Sequence, residues 1–372
     1  MRRVADVLLV SKPVAPPWND SGKNLVHDLA CAMTRHVPHV MVRPGDDPSI
    51  ARAVLEPVYG QRTGGFAPAL ADNARVLARL ISGPKLALWH FFFAPNPRTS
   101  AAGRVASRLR RARTVQTVSS APTPGVDPRR LLFADAIVTL SEHTERALIG
   151  SGVDRARVTR IAAAIAPLAT TDVAPASETR RALGIPEDVP LVVFPGDLEF
   201  GAGAELTLAA VAAITPGRPW LAMACRAKTA RAAGARERLQ TSPDARALGE
   251  RVKWIGETRR IHDLLRAADV VALPSDTLYA KMDHPLVLLE AMALERAVIV
   301  ATATPAAELA ADGAAIAVEP RVEAVRDAIA RLLDDASDRE STGQRARARV
   351  LAEHSRDRMA ERYEALYDRL LG

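Results

Sequence analysis

The sequence has few of the features that mark secreted, membrane-spanning or metal-binding proteins. It contains two cysteines among 372 residues, Cys31 and Cys225, and they lie far apart, so neither a disulfide framework nor a cysteine-based metal site is indicated. It has no run of eighteen apolar residues, which argues against a membrane-spanning helix. Its start, MRRVADVLLVSKPVAPPW, shows no small-residue cleavage site, and we expect a cytoplasmic protein.

Motifs of several common enzyme classes are absent as well. No Gly-x-Gly-x-x-Gly motif follows the first strand, so a dinucleotide-dependent oxidoreductase loses its main support. No two histidines have the spacing of metal ligands, and no pair of carboxylates suggests hydrolysis by general acid and base. We therefore expect neither a bound metal nor a cofactor.

Charge is distributed unevenly along the chain. Residues 1–168 carry a net charge of +11 and the remainder carries −4, within a total of +7. The first half is therefore expected to face an anionic partner, if the protein has one. Nearly all the cations are arginines, a composition that codon bias alone would also produce.

Short β-branched runs alternate with helical patterns along nearly the whole chain. This alternation predicts parallel sheets with crossover helices. It is interrupted at residues 169–188 and then restarts. We predict an α/β protein with two Rossmann-like, doubly wound domains, residues 1–168 and 189–350, joined by a linker at 169–188 and followed by a closing helix at 351–372. Ligands bind such sheets beyond the carboxyl ends of their strands.

One carboxylate stands in an otherwise apolar stretch, PLVLLEAMALERAVIVA. Pro285 is a favourable first residue for a helix, and residues 286–294 are predicted to form a buried helix that leads into a strand at 297–300. Burying Glu290 costs free energy unless the carboxylate has a partner. The alternative is a glutamate that faces solvent on an amphipathic helix.

Four segments together resemble the retaining glycosyltransferases of family 4. They are the stretch around Glu290, the loop PWNDSGKN, a histidine at the end of an inner strand in LWHFFF, and PGDLEFGAGAEL at the start of the second half. The resemblance spans essentially the whole chain. It implies the GT-B fold, in which the last helix crosses back to the first domain, and metal-independent transfer of a sugar from a UDP or GDP donor to a hydroxyl acceptor. In such enzymes the glutamate at the position of Glu290 accepts hydrogen bonds from the ribose, so the ligand would be its partner.

The resemblance implies further donor contacts in the second half. Gly196 ends the first strand there, and the backbone amides of Leu286 and Val287 would help to hold the diphosphate. The family carries a second acidic residue at the position that is Met282 here, and Asp283 stands one residue later. A one-residue shift in the loop would still bring the Asp283 carboxylate to the donor sugar, and a helix cap is equally consistent with the sequence. This difference puts sugar recognition in question.

The resemblance also implies basic residues beside the diphosphate and a histidine beside the donor sugar, and this sequence has only some of them. The family carries a basic pair shortly after the strand glycine, where this sequence has Asp197 and Glu199. Arg226 and Lys228 follow the next strand and are candidates to stabilise the leaving diphosphate, although a surface position is as consistent with the sequence. The resemblance places His90 beside the donor sugar, whereas an isolated histidine on an apolar strand is more often a core residue.

The acceptor is expected on the basic first domain. Asn19, Gly22 and Lys23 lie in the loop after the first strand, where a glycine allows close approach of a substrate, although any strand-to-helix turn favours one. Lipid-linked molecules and glycans are both open as acceptors.

A basic segment at residues 98–113 has its apolar residues on one face and arginines on another. It fits an anionic membrane surface, where several family members meet lipid acceptors, or a solvated helix packed on the sheet. Nucleic acid fits poorly, because no aromatic residues interleave with the arginines.

The closing helix carries an apolar stripe of Met359, Tyr363, Leu366 and Leu370. We expect this stripe to pack on the first domain. Two other functions remain open at this stage. A nucleotide-sugar 2-epimerase of the same fold would need no acceptor, and a non-catalytic nucleotide-sugar-binding protein would account for Met282 and the missing basic pair.

Overall fold

A computed structural model describes residues 4–60, 69–93, 95–120, 122, 125–214, 219–279 and 281–372. The chain divides into two compact units. Unit 1 comprises Met1–Ala166, Ala280–Asp283 and His354–Gly372, and unit 2 comprises Pro167–Tyr279 and His284–Glu353. Within the described ranges, no helix has the length and apolar content needed to cross a bilayer.

Unit 1 is built on a parallel sheet with the strand order β3-β2-β1-β4-β5-β6-β7. Its strands are β1 (Asp6–Val10), β2 (Val37–Val42), β3 (Val54–Pro57), β4 (Leu88–Phe91), β5 (Arg113–Val118), β6 (Ala136–Thr139) and β7 (Val158–Arg160). Its helices are α1 (Ser21–Ala32), α2 (Leu70–Ser82), α3 (Pro97–Arg110), α4 (Pro128–Leu131), α5 (Glu142–Gly150) and the last helix of the chain, α14 (Arg356–Leu371).

Unit 2 repeats this arrangement with the strand order β10-β9-β8-β11-β12-β13. Its strands are β8 (Leu191–Phe194), β9 (Trp220–Met223), β10 (Val252–Trp254), β11 (Val270–Leu273), β12 (Ala297–Ala301) and β13 (Ile316–Val318). Its helices are α6 (Ala176–Ala182), α7 (Gly203–Ala212), α8 (Arg231–Gln240), α9 (Pro243–Leu248), α10 (Ile261–Ala267), α11 (Leu286–Ala293), α12 (Val322–Asp334) and α13 (Ala336–Glu353).

The inner strands explain why the sequence forms parallel sheets. Every residue of β8, β11 and β12 is buried. A parallel sheet is covered by helices on both faces, so its strands are continuously apolar rather than alternating. In each sheet the strand order reverses beside the first strand, between β1 and β4 in unit 1 and between β8 and β11 in unit 2. The predicted fold class, two doubly wound α/β domains with the last helix returning to the first, is confirmed.

Helix α14 packs on unit 1 through a buried carboxylate as well as through apolar side chains. Met359, Tyr363 and Leu366 are buried, as their stripe predicts, and Leu370 is half-buried. The carboxylate of Glu364 is also buried, and its Oε1 accepts hydrogen bonds from the backbone N–H groups of residues 34, 35 and 36 at 3.1, 2.6 and 2.9 Å. These three groups lie in the connection between α1 and β2, so Glu364 provides an acceptor for backbone donors that belong to neither element.

The segment at 169–188, expected to be a linker, is part of unit 2 and contains α6. Arg180 of this helix is 7% exposed and donates to the carbonyl of Ala267 at 2.9 Å and to Asp269 Oδ2 at 2.8 Å. A linker is therefore the wrong description, because these contacts fix the helix to residues far along the chain. The boundaries of the units fall at 166/167 and 353/354, and residues 281–283 belong to unit 1.

Candidate functional site

The predicted donor residues of unit 2 lie on segments that follow the strands beside its switch point. Gly196 comes two residues after β8, Arg226 and Lys228 follow β9, and the chain after β11 leads to the start of α11. Because β9, β8 and β11 are neighbours in a parallel sheet, their carboxyl ends meet at one edge. This edge is where a doubly wound sheet binds its ligand.

Gly196 is required by close packing at this edge. A Cβ atom at this position would collide with the ring of Phe194 and touch Leu273 at 3.0 Å. Gly203, the first residue of α7, likewise has no room for a side chain, because its Cβ would collide with Ser275 after β11. The chain after β8 is therefore held closely against the neighbouring strands.

A buried ion pair joins the segments after β8 and β9. Lys228 Nζ lies 2.8 Å from Asp197 Oδ2, and the two side chains are 6% and 4% exposed. Glu199 Oε1 accepts hydrogen bonds from the backbone N–H groups of Lys228 and Thr229 at 2.8 and 2.9 Å. The two acidic residues that replace the basic pair thus fix the position of Lys228, while Arg226 is half-buried in the same segment.

Glu290 has a partner within the chain. His262 Nε2, on α10, lies 3.3 Å from Glu290 Oε2, and the Glu290 side chain is 18% exposed. Burial lowers the pKa of His262, but the hydrogen bond and charge of Glu290 outweigh it and the net effect is a raised pKa. The carboxylate therefore has one partner within the chain, and its contact with the ribose of a ligand stays a prediction. The side chain is only partly exposed to solvent, as the predicted buried helix implies.

The start of α11 presents backbone N–H groups at the same edge of the sheet. Leu286 is buried and Val287 is half-buried. Pro285 occupies the N-cap and forms no side-chain cap hydrogen bond. Backbone amides at the start of a helix suit an anion, so Leu286 and Val287 stay candidates to hold the diphosphate.

Asp283 is not the N-cap of this helix, a position that Pro285 occupies. Its Oδ2 accepts a hydrogen bond of 2.6 Å from Ser141 Oγ, and the residue is 3% exposed. Ser141 is itself the N-cap of α5 in unit 1, and Asp283 belongs to the same unit. The structure thus groups Asp283 with unit 1, whereas Gly196, Arg226, Lys228 and Glu290 are grouped in unit 2.

His90 is a core residue of unit 1. It is fully buried, its Nδ1 lies 2.6 Å from the Tyr367 hydroxyl, and its Nε2 lies 2.7 Å from Thr117 Oγ1. Burial lowers its pKa, so the ring is neutral. Both ring nitrogens are occupied by partners that include α14, and this arrangement gives no support to a role at a donor sugar.

The three predicted acceptor residues meet at the start of α1. Asn19 is exposed and Gly22 is the second residue of the helix. Lys23 Nζ donates to the carbonyl of Pro17 at 2.6 Å and lies 5.8 Å from the ring centroid of Trp18. Asp20 caps the helix by accepting from the backbone N–H of Lys23, so this helix start is already partly satisfied.

Helix α3 exposes its larger apolar side chains instead of burying them. Val105 and Leu109 are 63% and 65% exposed, beside the exposed arginines Arg98 and Arg108. The buried residues of the helix are the small Ser100, Gly103, Ala106 and Ser107. The small residues therefore make the packing contact of this helix, while its larger apolar and basic side chains face solvent.

In the part of the chain that the structure describes, no group of three or more His, Cys, Asp or Glu side chains is placed to hold a metal ion.

Comparison with known structures shows the class of fold. Anabaena HepE in complex with UDP-glucose is 17% identical, with a TM-score of 0.77 over 97% of this chain and 99% of that one. Sucrose-phosphate synthase from Thermosynechococcus elongatus is 21% identical, with a TM-score of 0.74 over 98% and 99% of the two chains. A trehalose-phosphate synthase from Burkholderia xenovorans, in complex with glucose-6-phosphate, is 14% identical with a TM-score of 0.71, over 97% and 99%. The chain has the GT-B fold of these glycosyltransferases.

A comparison with protein-family models gives a match within unit 2. Residues 176–349 match the family model described as glycosyl transferases group 1. No curated protein matches the sequence. Most of unit 2 thus matches the group 1 glycosyl transferases, and the predicted class of enzyme, a glycosyltransferase, is confirmed at that level.

Proposed function

We propose that this chain is a retaining, metal-independent glycosyltransferase that moves a sugar from a UDP or GDP donor to a hydroxyl group of an acceptor. The observation that carries the proposal is the group 1 match over residues 176–349, because that segment contains all the unit 2 residues predicted to bind the donor. The likeness to HepE, whose structure holds UDP-glucose, supports a nucleotide-diphosphate sugar as the donor class.

In this proposal Glu290 binds the ribose of the donor. Its carboxylate accepts hydrogen bonds from the ribose hydroxyls. These hydrogen bonds are short and strong because the carboxylate is ionised. His262, 3.3 Å away, holds the carboxylate in one orientation and offsets part of the cost of its burial. The carboxylate of Glu290 is therefore already oriented before the ribose binds.

The diphosphate is held by backbone amides and cations. Leu286 and Val287 offer N–H groups at the start of α11, and Arg226 and Lys228 offer positive charge. Negative charge grows on the diphosphate as the glycosidic bond breaks, so fixed cations stabilise the transition state without a metal ion. The ion pair with Asp197 positions Lys228 at this edge of the sheet.

Unit 1 binds the acceptor in this proposal, through Asn19, Gly22 and Lys23. The acceptor hydroxyl attacks the anomeric carbon from the face that the diphosphate leaves, so the configuration is retained. The new carbon–oxygen bond forms as the bond to the diphosphate breaks, and a diphosphate oxygen takes the hydroxyl proton. The protein positions the reactants and stabilises charge, and it supplies no nucleophile. His90 has no part in this mechanism, because both its ring nitrogens are engaged in the core.

The role of Arg226 tests the proposed reaction. The protein is incubated with UDP and GDP sugars, a chelator and a mixture of lipid and glycan acceptors, and release of nucleoside diphosphate is measured. We expect acceptor-dependent release, and a loss on the order of 100-fold in Arg226→Met from the missing charge stabilisation. Arg231→Met, an exposed arginine at the start of α8, is the control and should keep full activity.

The same assay separates the alternative functions. Conversion of the donor sugar without any acceptor would identify an epimerase. Nucleotide binding without turnover of any donor would identify a binding protein, and release that stops with the chelator would contradict metal independence.

A second observation supports contact with a lipid surface. Val105 and Leu109 are exposed on α3 beside Arg98 and Arg108, a combination that suits an anionic membrane. We infer that this face rests on anionic lipid, which would place a cytoplasmic protein at the inner face of a membrane and favour a lipid-linked acceptor.

Vesicle binding tests this face directly. We expect the protein to sediment with vesicles rich in anionic lipid and not with neutral ones. Replacing both Val105 and Leu109 by serine should weaken the binding by about ten-fold or more, because the inserted apolar area is lost. Leu351→Ser, an equally exposed leucine of unit 2, should have no effect. Equal binding by the double variant would remove α3 from the contact.

A further inference from the structure

Unit 1 contains a cavity that none of the proposed steps uses. It has a volume of about 500 Å³, and its lining includes Trp18, His27, Cys31, Asp47 and Arg356. One wall is the exposed indole of Trp18, and the cations at the cavity belong to His27 on α1 and Arg356 at the start of α14. The cavity therefore combines an apolar surface, two basic groups and a thiol.

The thiol lies against an imidazole on the same helix. Cys31 and His27 are four residues apart on α1, which places them on one face of the helix. The Cys31 Sγ lies 3.6 Å from His27 Nε2, and the same nitrogen lies 3.1 Å from the carbonyl oxygen of Pro48. On the other side of the ring, His27 Nδ1 lies 3.5 Å from Asp28 Oδ1.

These contacts keep His27 protonated. Burial lowers the pKa of the imidazole, but hydrogen bonds and charge from Asp28 and Cys31 outweigh burial and raise the pKa of His27 to about 10. The ring then donates from both nitrogens at neutral pH. The protonated ring thus places a positive charge 3.6 Å from the Cys31 sulfur, which is the atom that attacks in disulfide exchange. Arg356 adds positive charge at the cavity, and Asp47 is the acidic residue among the named lining groups.

We propose that Cys31 is a modification site at which small disulfides carrying carboxylates, such as oxidised glutathione, form a mixed disulfide. The Cys31 thiolate attacks one sulfur of the incoming disulfide. A new sulfur–sulfur bond forms to Cys31 as the original one breaks, and the second half leaves as a thiolate. The step needs no other oxidant. The carboxylates of the reagent are attracted by His27 and Arg356, and its body packs on Trp18.

Cys225 provides an internal comparison. It is 6% exposed and follows β9 in unit 2, so it has little access to reagents. The intact protein is mixed at neutral pH with dithiobis(nitrobenzoate), a disulfide with two carboxylates that releases a coloured thiolate. We expect one rapid release per chain, retained in Cys225→Ser and lost in Cys31→Ser. His27→Gln should slow it by about ten-fold or more.

Further measurements distinguish a loss of Cys31 reactivity from a loss of folding. Circular dichroism shows whether each variant is folded, and Arg356→Gln, which leaves the Cys31 and His27 pair intact, should slow this anionic reagent but not neutral hydroxyethyl disulfide. Mass spectrometry after exposure to oxidised glutathione should find the adduct on Cys31. Equal rates at the two cysteines, or an unchanged rate in a folded His27→Gln variant, would overturn the proposal.

Discussion

Replacing Glu364 by alanine is expected to destabilise the docking of α14 on unit 1 by about 3–5 kcal/mol, as when one partner of a buried charged contact is removed. The carboxylate is 1% exposed and accepts from three consecutive backbone N–H groups, those of Thr34, Arg35 and His36. Without it these donors lose their charged partner, and each hydrogen bond to a charged group contributes about 1.5–3 kcal/mol.

Hydrogen-exchange mass spectrometry measures this effect on α14 itself. Amides of α14 in Glu364→Ala should exchange faster by a factor on the order of 100 or more, which is the same free energy expressed as a rate ratio. Glu364→Gln keeps one oxygen acceptor and should lie in between. Glu361→Ala, an exposed glutamate on the same helix, is the control. Unchanged protection of α14 in the Ala variant would mean that Glu364 does not hold the helix.

Replacing Glu290 by glutamine is expected to weaken nucleotide binding by about 1.5–3 kcal/mol, or roughly 10-fold to 100-fold, while folding is largely preserved. The amide has nearly the shape of the carboxylate, so α11 keeps its packing. It loses the negative charge that strengthens hydrogen bonds from the ribose hydroxyls. It also loses the charge that faces His262, so the histidine should titrate at a lower pH in the variant.

Glu295→Gln is the matched control for this change. Glu295 comes two residues after the end of α11, and its side chain is 48% exposed and lies 3.6 Å from Arg347. It has no proposed contact with the nucleotide, so its variant should bind as the unchanged protein does. If both variants bind equally well, Glu290 has no ribose role.

Much of the fold could be predicted because its signal is local. The runs that form β8, β11 and β12 are apolar throughout, and such runs alternating with helices leave few arrangements other than a parallel sheet. The error at 169–188 arose because α6 is fixed by non-local contacts. Arg180 reads as a surface residue in its own segment, and only the fold brings it to Ala267 and Asp269.

The sequence identified the candidate residues of the site but not the side chains that pair with them. Glu290 stood out because a carboxylate in an apolar helix needs an explanation. Its partner His262 gave no such signal, because it lies on a different helix. Asp197 and Glu199 stand where the family has a basic pair, so the sequence indicated only that this pair was missing. Their charge is opposite to that of Lys228, which follows a neighbouring strand, and this was the signal that could have predicted their contact.

The face that α3 buries does not follow from its sequence pattern. The sequence shows which residues share a face, and it predicted Val105 and Leu109 together correctly. It does not show which face packs, because small side chains such as Gly103 and Ala106 allow close approach without a large apolar stripe. The face with the small side chains is the one that is buried.

Isothermal titration calorimetry of the full chain with UDP and with GDP measures whether the protein binds a donor nucleotide. We expect at least one of the two nucleotides to bind at one site per chain. Glu295→Gln should bind it equally, and Glu290→Gln should bind it roughly 10-fold to 100-fold more weakly. If neither nucleotide binds to the folded protein, it does not use a UDP or GDP donor.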